Sequence, residues 1–71
     1  MFIMVTRAKT QSVRVHTKCL LNIELIDEVC ANANYNEVEG DKTIIKMKEG
    51  VYRFVTDSID EIWSKLEEKG Y

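Results

Sequence analysis

No combination of side chains in this sequence forms a recognisable catalytic or metal-binding constellation. His16 is the only histidine, and Cys19 follows it three positions later. A histidine that follows the alternation of a strand is explained more simply as a solvent-facing residue than as a general base or a metal ligand. The sequence also contains no phosphate-cradling glycine loop and no nucleophile with a base at motif spacing. We therefore expect a protein that is not an enzyme and that uses no metal and no cofactor.

Two other groups of residues have ordinary structural explanations. Cys19 and Cys30 form no close-spaced pair, and in a reducing compartment such cysteines are predicted to be small buried apolar groups. Asp57, Asp60 and Glu61 are of the type that binds hard cations. Their position at the start of a predicted helix, where the macrodipole favours anions, already accounts for them.

The positive charges are concentrated near the N-terminus. Residues 1–22 carry a net charge of +4 with no acid, whereas residues 23–71 carry −6. Because phosphate contacts normally require a basic surface, the overall pI of about 5.3 argues against a nucleic-acid-binding domain. We favour a solvated strand face whose cations meet carboxylates of the same molecule or of a neighbouring subunit, with nucleic-acid binding as the alternative. This basic strip consists of Arg7, Lys9, Arg14, His16 and Lys18.

Length and composition indicate one small folded domain spanning residues 1–71. The chain is 45% hydrophobic and 31% charged and has no proline. A chain of this size buries proportionally little surface, so its stability is expected to be a few kcal/mol, and oligomerisation would add to it. It has neither a bilayer-length apolar segment nor the apolar region of a signal peptide, which predicts a cytoplasmic protein without membrane contact.

The clearest local signal is a C-terminal helix. Ser58–Glu61 has the Ser-x-x-Glu form of a capping box, and Gly70 is suited to the left-handed residue that ends a helix. Core packing is the simpler prediction for Trp63, and anchoring of a protein partner is the alternative. The predicted apolar stripe consists of Ile59, Ile62, Trp63 and Leu66.

A hairpin is predicted immediately before this helix, with strands over residues 43–47 and 51–55. A two-residue loop at Glu49-Gly50 places Ile45 opposite Phe54 on one apolar face. The same register places Met47 opposite Tyr52. A three-residue loop mixes the two faces and is rejected on side-chain parity, while a four-residue loop keeps the parity and stays open.

The N-terminal third is predicted to form a second hairpin. Its strands are Phe2–Ala8 and the alternating segment Ser12–Thr17, joined by a polar turn at Lys9-Thr10-Gln11. Asn22 is suited to cap a single helical turn.

Two readings remain for the segment after this turn. Leu25–Ala33 fits a third strand, but helical spacing of its apolar residues also permits a short helix to about Cys30. Asn32–Lys42 is predicted to be a polar connection. The resulting fold is α+β, with a small antiparallel sheet of four or five strands, curled or barrel-like, and a C-terminal amphipathic helix.

The order of these motifs resembles the FlbD-type flagellar small proteins and their uncharacterised relatives in gut Bacteroidetes and their phages. The resemblance spans nearly the whole chain. It implies the same small fold and, for the flagellar members, an association with motility, but no catalytic residues. The residues that carry it are Val5–Arg7, Leu21–Ile26, Thr43–Ile45 and Asp57–Ile62.

A second, shorter segment is similar to part of the LytTR DNA-binding domains. Arg14–Asn22, followed by Ile26–Val29, resembles the stretch of those domains in which an arginine and a histidine lie near the nucleic acid. This likeness implies a nucleic-acid contact by the first hairpin. Together the observations predict a non-catalytic accessory protein that acts by protein–protein interaction or self-assembly, with nucleic-acid binding as the rival function.

Overall fold

The computed structural model describes residues 1–10 and 12–70 of the chain. It contains five strands, one 3₁₀ turn and one α-helix, and no helix in these residues is long and apolar enough to cross a membrane. In chain order the elements are β1 (Phe2–Arg7), β2 (Thr17–Asn22), the 3₁₀ turn (Ile23–Leu25), β3 (Ile26–Ala31), β4 (Thr43–Met47), β5 (Tyr52–Val55) and α1 (Ile59–Glu68).

The strands form one antiparallel sheet in the order β2-β1-β5-β4-β3. The predicted α+β class, with a five-stranded sheet and a C-terminal helix, is confirmed, and the sheet does not close into a barrel. β1 joins the other hairpin through a short overlap, in which Arg7 lies opposite Val55. Beyond this overlap β1 and β5 separate, and α1 contacts β1 on one side and β3 on the other.

The first hairpin forms with a different second strand from the predicted one. β2 begins at Thr17, so the alternating residues before it belong to a long loop, in which Val13 and Val15 are exposed. The observed register places Leu21 opposite Ile3 in the core, which buries larger apolar side chains than the two valines would. Of the predicted turn, Gln11 lies outside the described residues.

The segment after β2 is a 3₁₀ turn followed by a strand, not a helix. The Oδ1 atom of Asn22 accepts a hydrogen bond from the amide of Glu24 at 3.1 Å, which confirms the predicted cap. β3 then pairs with β4, with a register shift between Ile26 and Glu28. The polar connection that follows is held together around Asp41, whose Oδ1 accepts from the amide of Asn36 at 2.8 Å.

The register predicted for the β4–β5 hairpin is wrong. Ile45 lies opposite Arg53 and Lys46 lies opposite Tyr52. This is the pairing of a three-residue loop, which the alternation of side chains between the two faces argues against. The cause is a three-residue loop in which Gly50 adopts a φ of +89° and its amide donates to the carbonyl of Met47 at 2.9 Å. Tyr52 and Phe54 therefore point away from Ile45 and Met47 rather than lying beside them.

The predicted helix signals are confirmed. Ser58 Oγ accepts from the amide of Glu61, and the Glu61 carboxylate accepts from the amide of Ser58. At the other end, Gly70 has a φ of +91° and its amide donates to the carbonyl of Glu67. One narrow ridge of the helix faces the sheet, because Ile62 is buried and Leu66 packs partly against the core. The buried apolar cluster consists of Ile3, Val5, Leu21, Ile23, Ile45, Met47, Val55 and Ile62.

Asp57 and Lys65 attach the helix to β1 where β5 has left it. The Oδ1 atom of Asp57 accepts from the amide of Thr6 at 2.8 Å, and its Oδ2 atom accepts from Lys65 Nζ at 2.8 Å. Lys65 Nζ also donates to the carbonyl of Met4 at 2.6 Å. These two side chains therefore satisfy edge groups of β1 that have no neighbouring strand. We call this pair the Asp57–Lys65 clamp.

The clamp holds Asp57 in its charged form. Burial by itself raises the pKa of this carboxyl, but the hydrogen bonds from Lys65 and Thr6 and the positive charge of Lys65 outweigh it. The pKa of Asp57 therefore lies below its ordinary value of 3.8.

Removing the Asp57 carboxylate should destabilise the fold and change its acid sensitivity. Asp57→Ala is expected to cost about 1–3 kcal/mol, because it leaves the Thr6 amide without an acceptor. Because the pKa of Asp57 is lower in the folded state, its ionised carboxylate stabilises the protein above pH 3.8. This stabilisation is lost as the pH falls through the pKa of the folded state. Urea denaturation measures the free energy of unfolding at each pH between neutral and 3. This free energy should fall more steeply with decreasing pH for the wild type than for Asp57→Asn. Equal slopes would contradict the role given to the clamp.

Neighbouring helix positions should differ sharply in their contribution to stability. Ile62 is 1% exposed and Trp63 is 55% exposed. Ile62→Ala is expected to cost about 2–5 kcal/mol, which is comparable to the whole stability of so small a domain. Trp63→Ala should stay within about 1 kcal/mol, because most of its ring is already in water. Thermal denaturation of the two variants tests this order, and a larger loss for Trp63→Ala would reverse it.

Candidate functional site

The sheet has one face covered by α1 and one open face. Side chains alternate between the two faces along each strand, so every buried residue has neighbours pointing the other way. The open side is called the outer face below. Apart from partly buried Ile44, its large apolar side chains are between 44% and 63% exposed. They come from four strands and are Phe2, Met4, Leu20, Ile44, Tyr52 and Phe54.

Strand pairing divides these residues into two patches. Met4 lies opposite Leu20, and with Phe2 they form what we call the edge patch, on β1 and β2. Ile44 lies opposite Phe54 on β4 and β5. Together with Tyr52, which lies two residues before Phe54, this pair forms the central patch.

Both patches are unusual for the open face of a small sheet. Antiparallel sheets with one solvated face normally carry polar residues there. Polar side chains on the same face lie beside the patches, including Thr6 and Lys18 on one side and Glu28 and Lys46 on the other. Exposed apolar surface with a polar rim is typical of sites that bind other molecules.

Trp63 is not part of the core, so the packing role predicted for it is wrong. It follows buried Ile62 by one position, which turns its side chain about 100° around the helix axis and into solvent. Ile59, also predicted to lie in the core stripe, is exposed as well. The indole borders an open groove of about 250 Å³ lined by Val29, Ile59, Ile62, Trp63 and Leu66. The role of Trp63 as a partner anchor stays a prediction.

The basic strip does not lie on one face. Arg7 and Lys18 belong to neighbouring strands, but Arg7 pairs with Thr17 and Lys18 pairs with Thr6, so their side chains leave opposite faces of the sheet. Arg14 lies in the loop before β2 and is exposed. The structure therefore brings the strip residues to one end of the sheet without aligning them.

Acidic residues and backbone contacts surround part of the strip. The amide of Lys9 donates to the carbonyl of Glu39 at 3.1 Å, which places the polar connection beside the first loop. His16 Nδ1 lies 3.3 Å from the carbonyl of Arg7, and the His16 ring lies beside Gly40, where a β-carbon would come within 3.4 Å of it. Glu39 and Asp41 line the same depression as Lys9, so the local charge there is mixed.

The ion pairs of the described residues lie elsewhere. They join Lys65 to Asp57 at 2.8 Å and Lys46 to Asp27 at 3.8 Å, and neither involves the basic strip. The carboxylate partners that we expected for the strip within the same molecule are therefore not seen as ion pairs in residues 1–10 and 12–70. A neighbouring subunit stays the other predicted source.

The cysteines do not form a reactive centre. Cys19 packs partly against the core, whereas Cys30 is exposed on the outer face, so the prediction that both are buried is wrong for Cys30. The Cys30 thiol donates to the Glu28 carboxylate at 3.1 Å. This hydrogen bond, some desolvation and the negative charge of Glu28 raise the pKa of the thiol, which disfavours the nucleophilic thiolate.

The acids at the start of α1 serve the fold. Glu61 completes the capping box and Asp57 belongs to the clamp, so neither carboxylate is available as a dedicated cation ligand. Asp60 is exposed in the first turn, where the helix dipole favours it. Within residues 1–10 and 12–70, no group of three or more histidine, cysteine, aspartate or glutamate residues is arranged to hold a metal ion.

Comparisons of the chain with protein-family models, with curated proteins and with solved structures gave no match. The resemblances to the FlbD-type proteins and to the LytTR domains therefore stay predictions. The outer face is thus the strongest candidate site, and our sequence reasoning did not identify it. A signal was present in Met1–Val5, where consecutive apolar residues without alternation indicate a strand with two apolar faces.

Proposed function

We propose that this chain is a small, non-catalytic accessory protein of the cytoplasm that acts by protein–protein interaction, including self-assembly. The observation that carries this proposal is the central patch, where Tyr52 and Phe54 extend from the middle of the sheet into solvent. Aromatic residues of this kind are enriched at interfaces and often contribute most of the binding energy.

Energetic considerations support a binding role for this face. Leaving large apolar side chains in water forgoes about 25 cal/mol for each Å² that burial would cover. A domain with a stability of only a few kcal/mol gains substantially if a partner covers them. The rigid strands beneath the patch also lower the entropic cost of presenting these side chains to a partner.

The resemblance to the FlbD-type group is part of this proposal. It implies an accessory role without catalytic residues, in a bacterium or its phage. The raised pKa of Cys30 and the structural roles of Asp57 and Glu61 agree with a non-catalytic protein.

Site-specific photo-cross-linking tests the central patch directly. Phe54 and Tyr35 are 44% and 43% exposed, so they make a matched pair for the photoreactive residue p-benzoylphenylalanine. Purified protein carrying it at position 54 is mixed with extract of the host cell and irradiated. We expect discrete protein adducts from position 54 and few from position 35, because Tyr35 lies in the polar connection and not on a strand of the sheet.

Competition shows whether such an adduct reflects specific binding. Excess unlabelled wild-type protein should abolish the adduct from position 54, whereas the Phe54→Lys variant should compete poorly because its charge disrupts the apolar surface. Equal labelling from positions 54 and 35, or equal competition by both proteins, would contradict a binding role for the central patch.

Nucleic-acid binding is a second candidate because three cations of the strip are exposed. Arg7, Arg14 and Lys18 lie outside both ion pairs of the described residues, which leaves their charges available to phosphate. The opposite orientations of Arg7 and Lys18, the acids beside Lys9 and the net charge of −2 all oppose it.

Titration of labelled duplex and single-stranded DNA at two salt concentrations separates the two functions. We expect weak binding that the Arg14→Ala, Lys18→Ala double variant changes no more than a charge-matched Lys42→Ala, Lys48→Ala variant does. Micromolar or tighter affinity that falls steeply with salt and is lost only in the first variant would instead favour nucleic acid.

A further inference from the structure

We propose that β2 is a pairing edge for a second copy of this chain, so that two sheets join across a two-fold axis into one continuous sheet. This inference rests on the proposed interaction function and names one partner for a different surface, the edge patch. It rests on the unpaired backbone groups of β2, on the side chains that this strand carries and on the contrast between the two edges of the sheet.

The outer edge of β2 presents backbone groups without a strand partner. The amide of Ile23 donates to the carbonyl of Met1 at 3.0 Å, so these residues form a hydrogen-bonded pair of the β1–β2 ladder. Bonded and non-bonded pairs alternate in an antiparallel ladder, so every second residue of β2 directs its amide and carbonyl away from β1. Within the described residues β2 is the last strand of the sheet. The outward-directed residues are Lys18, Leu20 and Asn22.

The other edge of the sheet is protected against pairing, and β2 is not. β3 has a register shift between Ile26 and Glu28, and Asp27 and Glu28 place charges along it. Bulges and charged residues are the usual means by which edge strands avoid pairing with other chains. β2 pairs with β1 without a shift and has Lys18 as its one charged residue.

The outward groups permit a symmetric register for the pairing. When the two-fold axis passes between the Leu20 residues, each Leu20 exchanges both backbone hydrogen bonds with its counterpart. The amide of Asn22 in each copy then donates to the carbonyl of Lys18 in the other. The Asn22 carbonyl itself accepts the first bond of the 3₁₀ turn, as expected for a cap residue. The register that pairs Leu20 with Lys18 makes as many backbone hydrogen bonds, so the Leu20–Leu20 register is chosen by its side chains.

This register also matches the side chains on both faces. On the outer face, Leu20 meets Leu20 and is flanked by Met4 of each copy, which joins the two edge patches. On the covered face, Cys19 lies opposite Leu21 of the other copy and extends the apolar core. Lys18 faces the neutral Asn22, so the pairing creates no like-charge pair.

The expected dimer is weak because the joined edges are short. Interfaces that bury less than about 1,200 Å² in total are typical of transient complexes. We therefore expect a micromolar or weaker Kd, so the mass should be followed over concentrations from about 1 μM to 1 mM.

Sedimentation equilibrium of the purified full chain tests the proposal. The mass should rise from 8.3 kDa towards twice that value with concentration. Leu20→Lys places two identical charges directly opposite each other and should raise the dimer Kd by at least about tenfold. Val15→Lys is the matched control, because Val15 is also 63% exposed but lies in the loop before β2. A mass that stays monomeric, or a dimer that both variants weaken equally, overturns the proposal.

Thiol cross-linking provides a second measurement that does not depend on how Leu20→Lys folds. In a Cys19→Ser, Cys30→Ser background, Leu20→Cys should form a covalent dimer with a short bifunctional maleimide, and Val15→Cys should not. Opposed residues of a bonded antiparallel pair have Cα atoms about 5.5 Å apart, a separation that such a linker bridges. Equal cross-linking of both variants overturns the proposal. Such a failure leaves the photo-adduct from position 54 unaffected, because that experiment reports on the central patch.

Discussion

The Asp57–Lys65 clamp is the constraint on which the arrangement of this fold depends. β1 and β5 separate after a short overlap, and a strand without a neighbour leaves amides and carbonyls that must find partners. The clamp supplies an acceptor to Thr6 and a donor to Met4, while the carbonyl of Asp57 accepts from the hydroxyl of buried Thr43. One residue therefore connects β1, β4 and the start of α1. The helix is attached to the sheet at this point by polar contacts as well as by apolar packing.

This attachment determines what the helix is able to cover. A ten-residue helix is about 15 Å long, and α1 lies across the gap so that it contacts both β1 and β3. Its buried ridge is consequently narrow, with Ile62 at the centre and Leu66 partly enclosed. The spacing of Trp63 and Ile59 fits an apolar stripe that faces the core. Both residues nevertheless lie outside the buried ridge, because the part of the sheet that faces α1 is too narrow to cover the whole stripe.

The difference between local and long-range interactions explains which features the sequence predicts. Ser58 and Glu61 are three positions apart, and Asn22 caps the turn that follows it directly, so their neighbours in sequence suffice to predict them. The β4–β5 register depends instead on the length of the loop, because one residue more or less moves every side chain to the other face. The alternation of apolar and polar residues does not indicate the loop length here, because apolar residues occupy both faces of these strands. The alternation of Ser12–Thr17 likewise predicts the wrong strand, since Leu21 takes the place opposite β1.

The same reasoning explains why the candidate site was not predicted. Assigning Tyr52 and Phe54 to the core assumed that a small sheet has one apolar face, and that assumption hid the second one. Because the chain has a single ten-residue helix, it contains no element that covers the outer face in the described residues. The central patch is therefore a direct consequence of the three-residue loop at Gly50, which turns these aromatic side chains outward. The association that we propose would complete the hydrophobic burial on this same surface.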